Sequence, residues 1–197
     1  MVTGQRGRPR SFDRDAALGK AMFAFWERGY EATSISDLTA ACGIGAPSLY
    51  AAFGDKRKLF DEAVEAYGGR YGDFGAVALA EEPTARAAVG RMLREAAAVY
   101  TDPAHPRGCM VISAAVNTTS DEVAEALRER REANLKTFER RIGADVAAGV
   151  LPAGTDARAL ARFAGAVLQG MSQQSRDGAS REELEAVAET ALRAWPR

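Results

Sequence analysis

The stretch that decides the fold spans residues 33–58 and reads TSISDLTAACGIGAPSLYAAFGDKRK. Ser34 and Asp37 have the spacing of a capping box at the start of a helix, and Gly43 supplies a residue that ends it. Pro47 then falls in the first turn of a second helix, where proline forfeits no intrahelical hydrogen bond. This pattern predicts two short helices joined by a glycine turn.

The second of these helices is predicted to have two different faces. Leu49 and Phe53, four positions apart, anchor it to the core. A short helix that is held from behind and has a low-profile front fits the major groove of DNA. No Arg, Asn or Gln lies between positions 42 and 55, so specificity would depend on Ser48, on methyl contacts and on DNA shape. The small or polar front residues are Gly45, Ala46, Ser48 and Ala51.

The run T-S-I-x-D-L-T-x-A-x-G-I-x-x-P-S-L-Y-x-x-F-x-x-K resembles the helix-turn-helix of the TetR family of transcriptional repressors. The resemblance is dense over residues 11–60 and extends to the rest of the chain only by architecture. It implies an all-α protein of about nine helices. The implied domains are a flexible basic arm (1–11), a helix-turn-helix DNA-binding domain (12–58) and a C-terminal ligand-sensing and dimerisation domain (59–197). The alternative is a helical hairpin in an unrelated α protein.

The same resemblance assigns contacts with double-stranded operator DNA. Ser34 and Lys56 would contact phosphates, Tyr50 would place its hydroxyl on the DNA backbone, and the start of the second short helix would face bases. Helix N-termini do attract phosphate oxygens. Two alternatives stay open, a core role for Tyr50 and a solvated charge run at positions 56–58. The predicted DNA-binding residues are Arg8, Arg10, Ser34, Gly45, Ala46, Pro47, Ser48, Tyr50 and Lys56.

Charge is distributed unevenly along the chain. The formal net charge is −1, yet residues 1–60 carry +3 and the remainder −4. A basic N-terminal part followed by an acidic remainder fits a protein that binds DNA phosphates through its N-terminal part only. The R-G-R-P-R strip of the first eleven residues resembles an AT-hook and would enter the minor groove, and its alternative is a solvated terminus.

Composition excludes several other classes. A hydrophobic content of 47% is typical of a folded chain. No apolar run is long enough to span a membrane, and the N-terminus lacks a signal pattern. Cys42 and Cys109 are too few for a disulfide framework or a zinc site, so a cytoplasmic protein without metal is expected.

Two other functions were compared with DNA-binding regulation. A helical enzyme or small-molecule carrier is disfavoured by a single histidine, His105, interpreted as a surface residue, and by the absence of a catalytic triad pattern or phosphate-binding glycine loop. No catalytic residue and no cofactor are therefore predicted. An architectural DNA binder would not need the long acidic C-terminal part.

Apolar residues recur at helical spacing in most of the remaining chain. Gly29 is predicted to end a first helix, and Gly68 and Gly69 to bend or end a fourth. Residues 109–116 are apolar on all sides, which predicts a buried helix. Residues 70–83 are ambiguous. Further helices are predicted over 84–101, over 121–148 with its arginines on a solvated face, and near 160–171 and 184–195.

The last two helices carry matching apolar stripes. In the TetR family such helices form a four-helix bundle with a second subunit, so the resemblance implies a homodimer on a pseudo-palindromic operator. The alternative is that both stripes serve only the core of one chain. The predicted interface residues are Phe163, Val167, Met171, Leu184, Val187, Ala191 and Trp195.

The effector is expected to be a small molecule in an apolar pocket, or a redox signal. Cys109 follows Arg107 at a predicted helix start, where the helix dipole and the cation favour thiolate. Its Gly-Cys-Met-Val run is similar to a Gly-Cys-Leu segment in family members that respond to electrophiles or oxidants. The alternative is that this cysteine is a small core hydrophobe, and each other candidate is alternatively plain core. The candidate ligand-binding residues are Phe74, Met92, Tyr100, Cys109, Met110, Asn117, Phe138, Phe163 and Gln169.

Overall fold

The computed structural model describes residues 12–116 and 118–196. Three predicted site residues, Arg8, Arg10 and Asn117, lie outside these ranges. Over the described ranges the chain is all-α, with ten α-helices and one π-helical turn. They are α1 (Arg14–Ala32), α2 (Ile35–Cys42), α3 (Ala46–Phe53), α4 (Lys56–Tyr67), the π-helical turn (Gly68–Gly72), α5 (Phe74–Glu81), α6 (Ala85–Thr101), α7 (Met110–Ser113), α8 (Asp121–Ala147), α9 (Ala157–Arg176) and α10 (Arg181–Arg193).

The helix-turn-helix forms as its sequence predicts. The Ser34 hydroxyl accepts a hydrogen bond from the Asp37 N–H at 3.1 Å, and the Asp37 carboxylate accepts one from the Ser34 N–H at 2.9 Å, which completes the capping box. Gly43 ends α2 in the left-handed region at φ 70°. α3 then begins at Ala46 with Pro47 in its first turn.

The first helix changes direction at Gly29. This residue has φ 81° and ψ 171°, and the helical hydrogen-bond pattern resumes for one short turn as far as Ala32. Such a conformation is open almost only to glycine. The predicted stop at Gly29 is therefore an interruption within α1 that turns the chain toward α2.

The N-terminal core extends beyond the helix-turn-helix itself. α1 packs along α4, where Phe25 meets Phe60 edge-on with ring centroids 5.1 Å apart. α7 and the start of α8 complete this core, since Met110 and Val123 are buried in the same cluster. The interruption expected near Gly68 is present, because α4 ends at Tyr67 and continues as the π-helical turn.

A second core lies among the C-terminal helices. α6 packs against α5, α9 and α10, and α8 packs along α9. A Cβ at Gly90 would lie 2.9 Å from Leu192, and one at Gly165 would lie 2.6 Å from Leu135. The glycines therefore allow α6 to approach α10 closely and α9 to approach α8. A capping box of Ser180 and Glu183 starts α10, as predicted.

Two local expectations were wrong. Only Met110–Ser113 of the apolar run 109–116 is helical, and Val116 is 60% exposed, because the segment lies between the two cores and only part of it is covered. His105 is partly buried and not a surface residue: its ring stacks on Trp26 with centroids 4.5 Å apart. The loop before α7 thus packs on α1.

Candidate nucleic-acid interface and effector cavity

The front of α3 is exposed, and its back is held in the core. Leu49 and Phe53 are buried. Pro47 and Ser48 are exposed, and the side chain of Tyr50 is 48% exposed. The core alternative for Tyr50 is therefore wrong. Gly45 caps α3 without a side chain, and Ala46 is half-buried beside it. No large side chain therefore projects from these two positions at the start of the helix.

Ser34 is already engaged within the protein. Its hydroxyl lies 2.6 Å from the Asp37 carboxylate, its N–H bonds the same carboxylate, and Arg28 forms an ion pair with Asp37 at 2.8 Å. The hydrogen bonds from Ser34, followed by Arg28, hold the pKa of Asp37 below its ordinary value. A phosphate at this point would have to compete with Asp37 for the Ser34 donors.

The three cations at the start of α4 have different surroundings. The Lys56 ammonium lies 4.3 Å from the centroid of the Tyr30 ring, and partial burial lowers the pKa of Lys56. Arg57 forms ion pairs with Asp61 and Glu122. Lys58 is exposed. Positions 56–58 are therefore not a uniformly solvated charge run, and Lys56 packs on Tyr30 of α1.

A cavity of about 240 Å³ lies between the two cores. Its walls come from the end of α4, the π-helical turn, α5, α6, α7, α8 and α9. Two candidates lie elsewhere: Met110 is fully buried in the N-terminal core, and Phe163 is 38% exposed on α9. The candidates that line the cavity are Phe74, Met92, Tyr100, Cys109, Phe138 and Gln169.

Cys109 lines the cavity but is not paired with the expected cation. Arg107 donates hydrogen bonds to the carbonyls of Ser175 and Ala179 near the end of α9, at 2.7 and 3.0 Å. Arg107 therefore bonds carbonyls at the end of α9, and the cavity wall that contains Cys109 also contains Arg131 of α8. Cys109 itself is anchored by its N–H, which donates to the Ser172 hydroxyl at 2.9 Å.

Two tyrosine hydroxyls lie beside the Cys109 sulfur. Burial and the neighbouring Cys109 raise the pKa of Tyr67 and of Tyr100 well above their ordinary values. Both rings line the cavity and both side chains are almost fully buried. These hydroxyls remain protonated at neutral pH, so each carries a proton that it could donate to a bound ligand.

Sequence reasoning missed Tyr67 and Arg131. The spacing of Tyr67 predicts only one more apolar position of α4. Arg131 belongs to a run of alternating charges, a pattern that predicts a solvated helix face. In the fold, Arg131 turns inward and donates to the Val111 carbonyl at 3.0 Å. Arg141, from the same run, donates to the Leu79 and Glu82 carbonyls. Charge pattern alone could not separate these arginines from the exposed ones.

The predicted dimer residues divide into two groups. Phe163 is exposed, and Val167 and Val187 are half-buried, so these three can meet a second subunit. The other four are buried in the core of their own chain and offer little side-chain area to a partner, so their place in the interface stays a prediction. They are Met171, Leu184, Ala191 and Trp195.

The described ranges lack a membrane-spanning helix and a cluster of metal-binding side chains. None of the described helices is both long and apolar enough to cross a membrane. The described residues also contain no group of three or more His, Cys, Asp or Glu side chains arranged to hold a metal ion.

Comparison with known proteins gives matches over most of the chain. Residues 18–63 match the family described as bacterial regulatory proteins, tetR family. Residues 85–191 match the family described as tetracyclin repressor-like, C-terminal domain.

Individual relatives match nearly end to end. The HTH-type transcriptional repressor ComR of Escherichia coli (strain K12) is 38% identical over 198 residues, covering 99% of this chain and 94% of that protein. The repressor BdcR of the same organism is 30% identical, covering 95% and 93%. A solved structure of a cysteine mutant of the TetR family regulator CifR, complexed with 26bp double-strand operator DNA, is 47% identical. It superposes with a TM-score of 0.91 and covers 96% of this chain and 100% of that one.

Proposed function

This chain belongs to the TetR family of transcriptional regulators, and from that premise we propose that it is a homodimeric repressor of a pseudo-palindromic operator. The observation that carries the proposal is the exposed front of α3, held from behind by Leu49 and Phe53. Two such helices must lie one DNA turn apart, about 34 Å, to enter successive major grooves. Dimerisation supplies that spacing, and a cytoplasmic location follows from the role.

The proposed DNA contacts follow the exposed positions. Ala46, Pro47 and Ser48 meet base edges, the Tyr50 hydroxyl bonds a phosphate, and Lys56 adds a positive charge beside the helix. With one hydroxyl as the main polar group on the reading face, DNA shape contributes much of the specificity. Gly45 and Ser34 border this surface, and Arg8 and Arg10 would extend it into the minor groove.

Release from DNA is proposed to start at the cavity, through a bound small molecule or through modification of Cys109. Tyr67 forms part of the cavity wall and is the last residue of α4, which begins at Lys56 after a two-residue connection from the end of α3. A ligand that favours one position of α4 over another changes the spacing of the two reading helices. The affinity for DNA then falls because both half-sites no longer fit at once.

A binding titration on the DNA that flanks the protein's own gene tests the proposal. Fluorescence anisotropy over a range of salt concentrations should show an affinity that falls steeply with salt. Lys56→Ala should weaken binding to all sequences alike and lower the slope of log K against log salt by about 1. Lys136→Ala, which removes an exposed lysine from α8, is the matched control and should change neither quantity.

The same titration shows whether DNA release is triggered by oxidation of Cys109 or by a bound small molecule. Loss of binding in hydrogen peroxide that is prevented by Cys109→Ser assigns the input to the thiol. Binding that is unaffected by peroxide in both proteins assigns it to a small molecule. A monomeric protein without salt-sensitive affinity for any duplex would contradict the whole proposal.

A further inference from the structure

Arg131 is a cation without an acidic partner among the residues that the structure describes. It is partly buried in the wall of the cavity, and its one hydrogen bond to a described residue goes to the Val111 carbonyl. No described carboxylate forms an ion pair with it. Arg130, next to it on α8, is neutralised by Glu65 at 2.6 Å. A partly desolvated cation costs free energy unless a negative charge compensates it, so Arg131 lacks the group that its position requires.

Tyr67 provides a second incomplete group at the same place. Its side chain is 1% exposed, and its hydroxyl has no hydrogen-bond partner among the described residues. Tyr100 and the Cys109 thiol lie beside it. Buried hydroxyls are almost always satisfied. The cavity wall thus offers hydrogen-bond donors beside a positive charge that is not compensated, since Arg130, which also lines the cavity, is paired with Glu65 and Arg131 is not.

The rest of the cavity is largely apolar. The polar residues Asp73, Asn134, Thr137 and Gln169 also line it, and Asp73, the carboxylate among these four, is exposed and forms no ion pair with a described residue. A volume of about 240 Å³ lies below the range of roughly 300–1,000 Å³ usual for drug-sized ligands, which indicates a small molecule. The apolar wall consists of Phe74, Leu79, Met92, Leu135, Phe138 and Leu168.

We propose that the effector is a small amphipathic carboxylate, with its head group on Arg131 and the Tyr67 hydroxyl and its hydrocarbon part against Phe74, Met92 and Phe138. This inference rests on the proposed function, in which the cavity is the effector site. A carboxylate accepts hydrogen bonds at both oxygens and carries the charge that Arg131 lacks. A neutral ligand of the same shape would leave the arginine uncompensated.

Binding of a head group at Tyr67 also explains how ligand binding in the cavity would change the position of the DNA-binding helices. The Tyr67 hydroxyl would turn toward the carboxylate, and its ring lies against Trp26 of α1 with centroids 4.7 Å apart. A shift of Tyr67 therefore reaches α1 and α4 together. These are the two helices that support the helix-turn-helix from behind.

Isothermal titration calorimetry on the reduced full-length protein, without DNA, tests the ligand class. Hexanoate and octanoate are the probes, and 1-hexanol and 1-octanol are the matched neutral compounds. The carboxylates should bind at least about tenfold more tightly than the alcohols. Arg131→Gln should abolish that preference, and Tyr67→Phe should lower carboxylate affinity several-fold. Arg128→Gln, an exposed arginine of α8 paired with Glu125, is the control and should bind as the parent does.

A second substitution at Arg131 and a separate measurement of operator affinity complete the test. Arg131→Lys retains the charge, so it should keep a preference for carboxylates even if Arg131→Gln folds poorly. Equal affinity for octanoate and 1-octanol, or unchanged octanoate binding in a folded Arg131→Gln, overturns the inference. Operator affinity is measured separately by anisotropy. A protein that binds operator but no carboxylate refutes only the ligand class, whereas one that binds carboxylate but no duplex refutes the proposed regulatory role.

Discussion

The ring of Tyr67 lies edge-on against Trp26, with centroids 4.7 Å apart and ring planes at 85°. Tyr67 forms part of the cavity wall and Trp26 belongs to α1 of the DNA-binding part, so one aromatic contact joins the two functional regions. His105 stacks on Trp26, which adds the loop before α7 to the same cluster. The cavity and the helix-turn-helix therefore share a single packed junction.

This junction predicts an unusual effect of Tyr67→Phe. The substitution keeps the ring and its packing on Trp26 but removes a buried hydroxyl that has no partner among the described residues. We expect the free energy of unfolding to rise by about 1 kcal/mol, because an unsatisfied buried hydroxyl costs on the order of 1–3 kcal/mol. Urea denaturation in the absence of ligand measures this. A loss of stability would show that the hydroxyl is satisfied, for example by water.

A pair of glycine substitutions tests the interruption of α1. Gly29→Ala should lower the free energy of unfolding by about 1–3 kcal/mol, because Gly29 has a conformation that other residues rarely adopt. Gly143→Ala should instead raise it by about 0.5–1 kcal/mol, since Gly143 lies within α8 with nothing within 4 Å of an added Cβ. Thermal and urea unfolding of both variants provide the comparison. Equal effects would contradict the conformational explanation.

Local signals of this kind explain why much of the fold was predictable. The capping boxes at Ser34 and Ser180 and the turn at Gly43 depend on a few neighbouring residues, and all three form as expected. The exposed front of α3 follows from the spacing of Leu49 and Phe53. Such features need no knowledge of distant parts of the chain.

The errors arise where tertiary contacts decide. His105 is partly buried by stacking on Trp26, which lies 79 positions earlier in the chain and gives no local sign of that contact. Arg131 turns inward because α8 passes the Val111 carbonyl, whereas Arg128 of the same helix remains exposed. The apolar stripes of α9 and α10 predict a subunit interface, but Met171 on α9 and Leu184 on α10 are buried in the core of the same chain. Periodicity identifies an apolar face and does not say which partner covers it.

The Asp37 capping box predicts a pH dependence of stability. Hydrogen bonds from Ser34, followed by the Arg28 ion pair, lower the pKa of Asp37 from its ordinary value of 3.8. The stabilisation from this carboxylate is therefore complete above pH 3.8 and is lost as the pH falls from there through the lower folded-state value. Urea unfolding of the parent and of Asp37→Asn over a pH series measures it.

The difference between these two proteins should be largest near neutral pH and should shrink in acid, where both carry an uncharged side chain at this position. A difference that stays constant over the whole series would assign the effect to geometry and not to charge. Glu31, which also has a lowered pKa because Thr119 and Thr118 bond it, titrates in both proteins and therefore cancels in the comparison.

Phe163→Glu is expected to separate the dimer. Phe163 is 38% exposed on α9 although it is large and apolar, and it lies near the half-buried Val167 on the same helix. Burying such a side chain contributes about 1.5–3 kcal/mol, and the two-fold symmetry of a dimer counts each contact twice. The variant loses that gain and places two unpaired carboxylates in the interface.

Size-exclusion chromatography with light scattering should show a monomer for Phe163→Glu at concentrations at which the parent is a dimer. Val150→Glu is the matched control, because Val150 is 52% exposed in the turn after α8, and it should remain a dimer. Both variants should keep the circular dichroism of the parent, since an exposed substitution alters the free energy of unfolding by no more than about 0.5 kcal/mol. Operator affinity should fall only in the monomer, because one subunit reaches a single half-site. A dimeric Phe163→Glu with full operator affinity would place the interface on another face of the molecule.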